Sequence, residues 1–198
     1  MGTSRPPRVG NGAQAATALL IIDMINLFDF EGGISLAREA SRIAPRIARL
    51  KARFAAAGAP VIYVNDNFMD WRADFKELVA VCSHPANAGA KIAKVLAPAT
   101  GDYYILKPKH SAFLATPLSL LLAKLGVRRL VLTGLAADAC VLITAQEANM
   151  RDYQVSIPAD CVAAQTPERR KRALAVIEAS FPVDLRASAV VPIAQARS

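Results

Sequence analysis

The stretch Leu130-Val-Leu-Thr-Gly-Leu-Ala-Ala-Asp-Ala-Cys-Val-Leu-Ile-Thr144 reads as a buried strand, a tight turn and the opening of a helix. Arg129 to Thr133 has the short apolar run of a strand covered on both faces, and Gly134 interrupts it where the backbone must turn. Asp138 is placed to cap the helix, which puts Ala139 and Cys140 in its first positions. Free backbone N–H groups and the positive end of a helix favour a thiolate over a thiol, so Cys140 is a candidate nucleophile. The competing reading is a small buried thiol filling space in an apolar neighbourhood.

Working outward, the same strand-then-helix grammar recurs. Thr17 to Ile22 predicts a first strand that runs directly into Asp23, a carboxylate that either caps the next segment or serves a site at the sheet edge. The loop from Met24 to Gly33 carries two aromatics, Phe28 and Phe30, beside Gly32 and Gly33, and suits a pocket wall with a flexible rim. Ile43, Ile47, Leu50 and Phe54 form the apolar stripe of a helix, in which Pro45 marks either the first turn or a kink. Strand two, Val61 to Val64, exits through Asn65, Asp66, Asn67 and Phe68 towards Trp71. Asp66 has a hydrogen-bonding or capping role in this reading, and Phe68 and Trp71 either close an apolar pocket or anchor the loop.

Tyr103 to Leu106 forms strand three and delivers Lys107 at its end, before Pro108 and the loop to Phe113. That lysine either snorkels to the surface or faces Asp23 and Cys140. Helices over Leu118 to Leu125, from Asp138 to about Arg151, and from about Pro167 to Ser180 alternate with strands at Gln154 to Ile157 and Val183 to Leu185. Such alternation predicts an α/β fold with a parallel sheet covered on both faces. Right-handed crossovers then bring the strand ends bearing Asp23, Lys107 and Cys140 to one edge.

Composition excludes several classes. The 198 residues are 54% hydrophobic, enough for one sizeable core. No stretch reaches the roughly eighteen apolar residues of a membrane span, and Met1 to Arg8 lack a secretory signal's apolar centre, which together predict a soluble cytoplasmic protein with no membrane partner. The three cysteines, Cys82, Cys140 and Cys161, have neither disulfide-scaffold nor CxxC spacing. The two histidines, His84 and His110, form no metal-ligand motif, so no metal and no cofactor are expected. A formal charge of +8 comes largely from basic helix segments, around Arg38 to Arg53 and Arg169 to Arg172, which read as solvated helix faces rather than a nucleic-acid surface. The field they create would draw in an anionic substrate. Residues 1–15, rich in Gly, Pro and Arg, read as a flexible N-terminal segment, and 16–198 as a single domain with no internal repeat.

Three motifs in order, Asp23-Met-Ile-Asn-Leu-Phe28, Lys107-Pro-Lys-His-Ser-Ala-Phe-Leu-Ala-Thr-Pro-Leu118 and Thr133-Gly-Leu-Ala-Ala-Asp-Ala-Cys-Val141, resemble the isochorismatase-like cysteine hydrolase superfamily. That group includes nicotinamidases, N-carbamoylsarcosine amidohydrolases, ureidoacrylate amidohydrolases and isochorismatases. The resemblance runs from about Thr17 to Leu185 and implies a three-layer α/β/α sandwich around a six-stranded parallel sheet. It implies that Asp23, Lys107 and Cys140 form a catalytic triad, that the backbone N–H groups of Ala136 and Cys140 form an oxyanion hole, and that the Leu135–Ala136 peptide is cis. Asn26, Phe28, Asp66, Phe68, Trp71, Phe113 and Leu135 are the expected pocket residues.

On this resemblance Asp23 takes the Cys140 proton, the thiolate attacks, and a water activated by Asp23 hydrolyses the thioester. Nicotinamidase-like members carry an aspartate and histidines in the loop after strand two, but here that loop has no histidine. The expectation is therefore a metal-independent hydrolase of a small amide or carbamoyl substrate, with isochorismatase-type vinyl-ether hydrolysis second and a catalytically idle binding protein third. The resemblance also implies a homodimer or homotetramer.

Overall fold

Alternate residues of the first strand feed two different cores. In β1 (Ala16–Ile22), which is buried along its whole length, Ala16, Ala18, Leu20 and Ile22 face one layer while Leu19 and Ile21 face the other. Only a strand covered on both sides can be apolar at every position, and that is the signature of a parallel sheet between helices. The structure, a computed structural model, describes residues 16–69 and 72–194. The N-terminal segment expected over residues 1–15 lies outside the described residues, as does Trp71.

The sheet comprises β1, β2 (Val61–Asp66), β3 (Tyr103–Lys107), β4 (Val127–Gly134), β5 (Gln154–Ser156) and β6 (Val183–Asp184), all paired in parallel in the order β3-β2-β1-β4-β5-β6. One layer is formed by α1 (Gly33–Ala56), α2 (Phe75–Cys82) and α3 (Ala90–Val95), and the other by α4 (Leu118–Lys124), α5 (Cys140–Met150) and α6 (Pro167–Ser180). The expected α/β/α sandwich is thus the observed fold.

In α1 the buried residues Leu36, Ala40, Ile43, Ile47, Leu50 and Phe54 recur at helical spacing and pack on Leu19, Ile21 and Tyr63. Each large aliphatic side chain so buried contributes about 1.5–3 kcal/mol. Pro45 lies within this single long helix, which resolves the alternatives left by the sequence.

Strand order reverses direction between β1 and β4: the chain winds one way through β2 and β3, then crosses to build β4, β5 and β6 on the other side. A crevice opens beyond the carboxyl ends of the strands at such a switch point. Ile22 and Gly134 are register partners there, so Asp23 and the turn leading to Cys140 leave the sheet side by side.

Gly134 makes that departure possible. Its φ of +102 lies in a region that side chains disfavour, and a Cβ on it would collide with the Ile22 carbonyl oxygen of the adjoining strand. Gly134→Ala is expected to lower unfolding free energy by about 1–3 kcal/mol in urea titration, the range for a strained backbone site. An unchanged midpoint would show that this close approach is not needed.

Candidate active site

Asp23 follows β1 in the left-handed region, with φ of 52, which turns the chain out of the sheet immediately after the strand. Its N–H still donates to the Val64 carbonyl, 2.9 Å away on β2. Oδ1 accepts the Asp66 N–H at 2.7 Å, and Oδ2 pairs with Lys107 Nζ at 2.9 Å. The carboxylate is therefore held by the ends of β2 and β3, whose residues Asp66 and Lys107 are register partners. Asn65, one residue earlier, donates to the Ile25 carbonyl at 2.8 Å and accepts its N–H at 3.2 Å, fixing the loop after Asp23.

Lys107 does not snorkel: it is 1% exposed, and its ammonium donates to Cys140 Sγ at 3.5 Å as well as to Asp23. The Asp23 carboxyl and the Cys140 thiol are thus both paired with one ammonium. Against the same sulfur stands His110 Nδ1, again at 3.5 Å. Asp23, Lys107 and Cys140 thus come together in one cavity of about 450 Å³, a size suited to a small molecule.

Burial dominates the electrostatics. It raises the Asp23 pKa above the ordinary 3.8, an effect the Lys107 ammonium only partly offsets. Burial pulls Lys107 down, but the Asp23 and Cys140 charges outweigh it and leave the ammonium stabilised. Burial and the neighbouring Asp23 push the Cys140 thiol up to about 12, against the pull of Lys107. The expected helix-start thiolate is therefore corrected: at rest Cys140 is a thiol beside an ion pair, because desolvation and a carboxylate outweigh partial charges on the helix.

The helix start differs in a second way. Ala139, not Asp138, precedes the first helical residue Cys140, and it supplies no side-chain cap. Asp138 instead forms an ion pair with Arg169 at 2.5 Å, bridging to α6. The turn also contains no cis peptide: the Leu135–Ala136 bond expected to be cis is trans, and Gly134 makes the reversal in its place.

Backbone donors in this turn alternate. Leu135 N–H goes to the Ile22 carbonyl, Ala137 to Ala163, and both Ala139 and Val141 to Ala136. Ala136, Asp138 and Cys140 donate to no backbone acceptor outside the helices and strands among the described residues, and all three line the cavity. Ala136 and Cys140 are the two that the family resemblance implies for an oxyanion.

Of the expected pocket residues, Asn26, Asp66 and Leu135 line the cavity. Phe28, Phe68 and Phe113 do not. Phe28, with φ of 59, turns inward to pack under α1, and Phe68 packs on the same layer. Phe113 sits in the opposite layer, its ring stacked 5.9 Å from that of Tyr153. Trp71 lies outside the described residues.

Sequence reasoning missed Lys109, His110, Gln165 and Arg169, all at the cavity, where Phe30 also lies. His110 was dismissed on metal criteria although it follows Lys107 by three residues. Gln165 and Arg169 flank Thr166, whose side chain caps α6 by accepting the Arg169 N–H. A helix start following β5 must lie at the same sheet edge as Asp23, and that was the available signal.

Comparison with known proteins places this arrangement. An isochorismatase-domain family model matches residues 17–188. The chain is 42% identical over 166 residues to an uncharacterized isochorismatase family protein of Bacillus subtilis, YaaI, covering 84% of this chain and 91% of the other. It is 31% identical over 207 residues to the ureidoacrylate amidohydrolase RutB of Methylorubrum extorquens, covering 90% and 82%. Among solved structures, an isochorismatase family protein from Desulfovibrio vulgaris superposes with a TM-score of 0.73 at 29% identity, covering 89% and 96%.

Cys140 opens on the cavity, whereas Cys82 and Cys161 are fully buried. Iodoacetamide should label Cys140 at least ~10-fold faster than either, with a rate still climbing as pH passes the ordinary thiol range, since the thiolate is the reacting form. Equal labelling of all three in the folded protein would contradict this geometry.

Proposed function

The chain belongs to the isochorismatase family of cysteine hydrolases, and from that premise we propose that it cleaves a C–N bond in a small amide or carbamoyl substrate through a thioester on Cys140. The observation that carries this reading is the contact chain Asp23–Lys107–Cys140, assembled from the ends of β1 and β3 and the start of α5 inside one cavity. A merely retained core cysteine would need neither a buried carboxylate nor a buried ammonium beside it, so the idle-protein alternative has little support.

Asp23 accepts the thiol proton as Sγ attacks the carbonyl carbon. The negative charge passes from carboxylate to sulfur, both beside the Lys107 ammonium, and then to the substrate oxygen. The N–H groups of Ala136 and Cys140 take up that oxyanion, each contributing roughly 3 kcal/mol in comparable sites. When the tetrahedral species collapses, the C–N bond breaks and Asp23 returns its proton to the departing amine, leaving an acyl-Cys140 thioester for water to hydrolyse. The ureidoacrylate activity named for the Methylorubrum relative supports an amide or carbamoyl group as the bond attacked. Lys109 and Arg169 at the cavity support a substrate that also carries an acidic group.

The residues present do not fit the metal site of nicotinamidase-like relatives. Asp66 gives the cavity a carboxylate, but the β2 exit loop holds no histidine, and no cluster of three His, Cys, Asp or Glu side chains occurs among the described residues. The proposal accordingly routes no step through a metal.

A screen of small amides, ureas and carbamoyl acids for ammonia release is expected to give turnover that Cys140→Ser reduces by at least ~10³-fold with an unchanged urea midpoint. Retained hydrolysis in that variant would defeat the covalent route. Because Asp23 must be ionised to accept the proton, and its pKa is raised, kcat/KM should fall with decreasing pH through a midpoint above the ordinary aspartate value of 3.8. A chelator is expected to leave turnover unchanged, and stoichiometric zinc or iron by elemental analysis would count against the metal-free reading.

A further inference from the structure

Two side chains reach the Cys140 sulfur, Lys107 Nζ and His110 Nδ1, each at 3.5 Å. Asp23 and Lys107 belong to the buried sheet edge, but His110 is exposed and places Nδ1 3.5 Å from Sγ at the cavity wall. Its position is set by the helix that carries the cysteine. Immediately after His110, the Ser111 hydroxyl donates to the Glu147 carboxylate, the Ala112 N–H donates to Thr144 Oγ1 at 3.0 Å, and the Phe113 N–H donates to Ser111 Oγ at 3.0 Å. Thr144 and Glu147 both lie on α5, which Cys140 opens, so thiol and imidazole are fixed to one rigid element. On the other side, the buried Lys107 anchors the segment.

Asp23 lies on the buried side of the site. It is 6% exposed, with Oδ1 engaged by the Asp66 N–H and Oδ2 by Lys107. His110 reaches the same sulfur from the solvent. We propose that His110 is a further catalytic residue, the general base of thioester hydrolysis, while Asp23 serves the acylation half. This rests on the thioester reading above and divides the labour within it.

In the acyl-enzyme, neutral His110 with its proton on Nε2 accepts a proton from water at Nδ1 as the water oxygen bonds to the thioester carbon. The resulting oxyanion collapses, the C–S bond breaks, and the imidazolium returns that proton to Sγ. The products are the free acid and the Cys140 thiol, with His110 neutral again. No oxidant, reductant or second substrate is required.

The test uses p-nitrophenyl acetate, whose leaving group needs no protonation, so that hydrolysis of the acetyl-enzyme is examined apart from acylation. Wild-type protein, His110→Asn and Cys140→Ala are mixed with the ester. Release of nitrophenolate is followed by stopped flow, and acetylated Cys140 by mass spectrometry of acid-quenched samples. His110→Asn is expected to acetylate Cys140 at a rate within about 3-fold of wild type, but to lose the acetyl group about 10²-fold more slowly, in the range of a missing general base. Steady-state kcat and KM then fall together while kcat/KM holds.

If the acetyl-enzyme of His110→Asn breaks down as fast as that of wild type, or if acylation slows as much as breakdown, the assignment is overturned and the thioester reading stands. If Cys140→Ala turns over the ester like wild type and no acetyl group is found on Cys140, the thioester reading itself fails and takes this proposal with it.

Discussion

The buried ion pair between Lys107 and Asp23, 2.9 Å apart at the edge of the sheet, is the constraint on which the site depends. Such a pair is a weak source of net stability, because removing both charges from water is costly, yet losing one partner leaves an uncompensated buried charge worth about 3–5 kcal/mol. Its value here is electrical. Lys107 fixes one positive charge beside two groups, a carboxyl and a thiol, that share one negative charge. Moving the proton from Cys140 to Asp23 shifts that negative charge a short way along the same ammonium rather than creating it, so ionising a thiol whose own pKa is pushed up to about 12 becomes feasible within the pair.

This changes the part played by the helix start. A cysteine opening a helix suggests a thiolate held down by free N–H groups, but burial and Asp23 dominate here. The N–H groups of the turn are put to a different use. Leu135, Ala137, Ala139 and Val141 spend theirs on the fold, which leaves those of Ala136 and Cys140, both at the cavity, available for the role proposed above.

What was legible in the sequence follows from how locally each feature is encoded. The fold was readable because β1 is apolar at nearly every position, β4 is so from Leu130 to Leu132, and the two end abruptly at Asp23 and Gly134. Asp23 and Lys107 were readable because a charge directly after a buried strand can only sit at the sheet edge. The pocket walls were not, since an aromatic side chain in a loop points where the loop's hydrogen bonds send it. Phe28 turns inward through a left-handed backbone, and Phe113 follows Ser111 and Ala112, which bond Glu147 and Thr144 more than thirty residues away. His110, Gln165 and Arg169 needed the topology first, because what brings them to Cys140 is the crossing of chain segments rather than any local pattern.

Charge gives the last instance of local reading set against tertiary structure. The basic residues of α1 are not all a solvated face: Lys51 pairs with Asp102 at 2.7 Å, and Arg53 donates to the carbonyls of Ser188 and Val191, stapling the helix to the chain's C-terminal part. Arg169 is likewise committed, to Asp138 and to the side chain of Gln165, which ties α6 across the cavity mouth to the turn before Cys140. An acidic substrate group reaching Arg169 must therefore compete with Asp138, and the formal +8 of the chain overstates the attraction felt at the site. For an acidic substrate of the kind proposed above, that competition would favour anions whose geometry lets them share the guanidinium with Asp138 over those that merely carry charge.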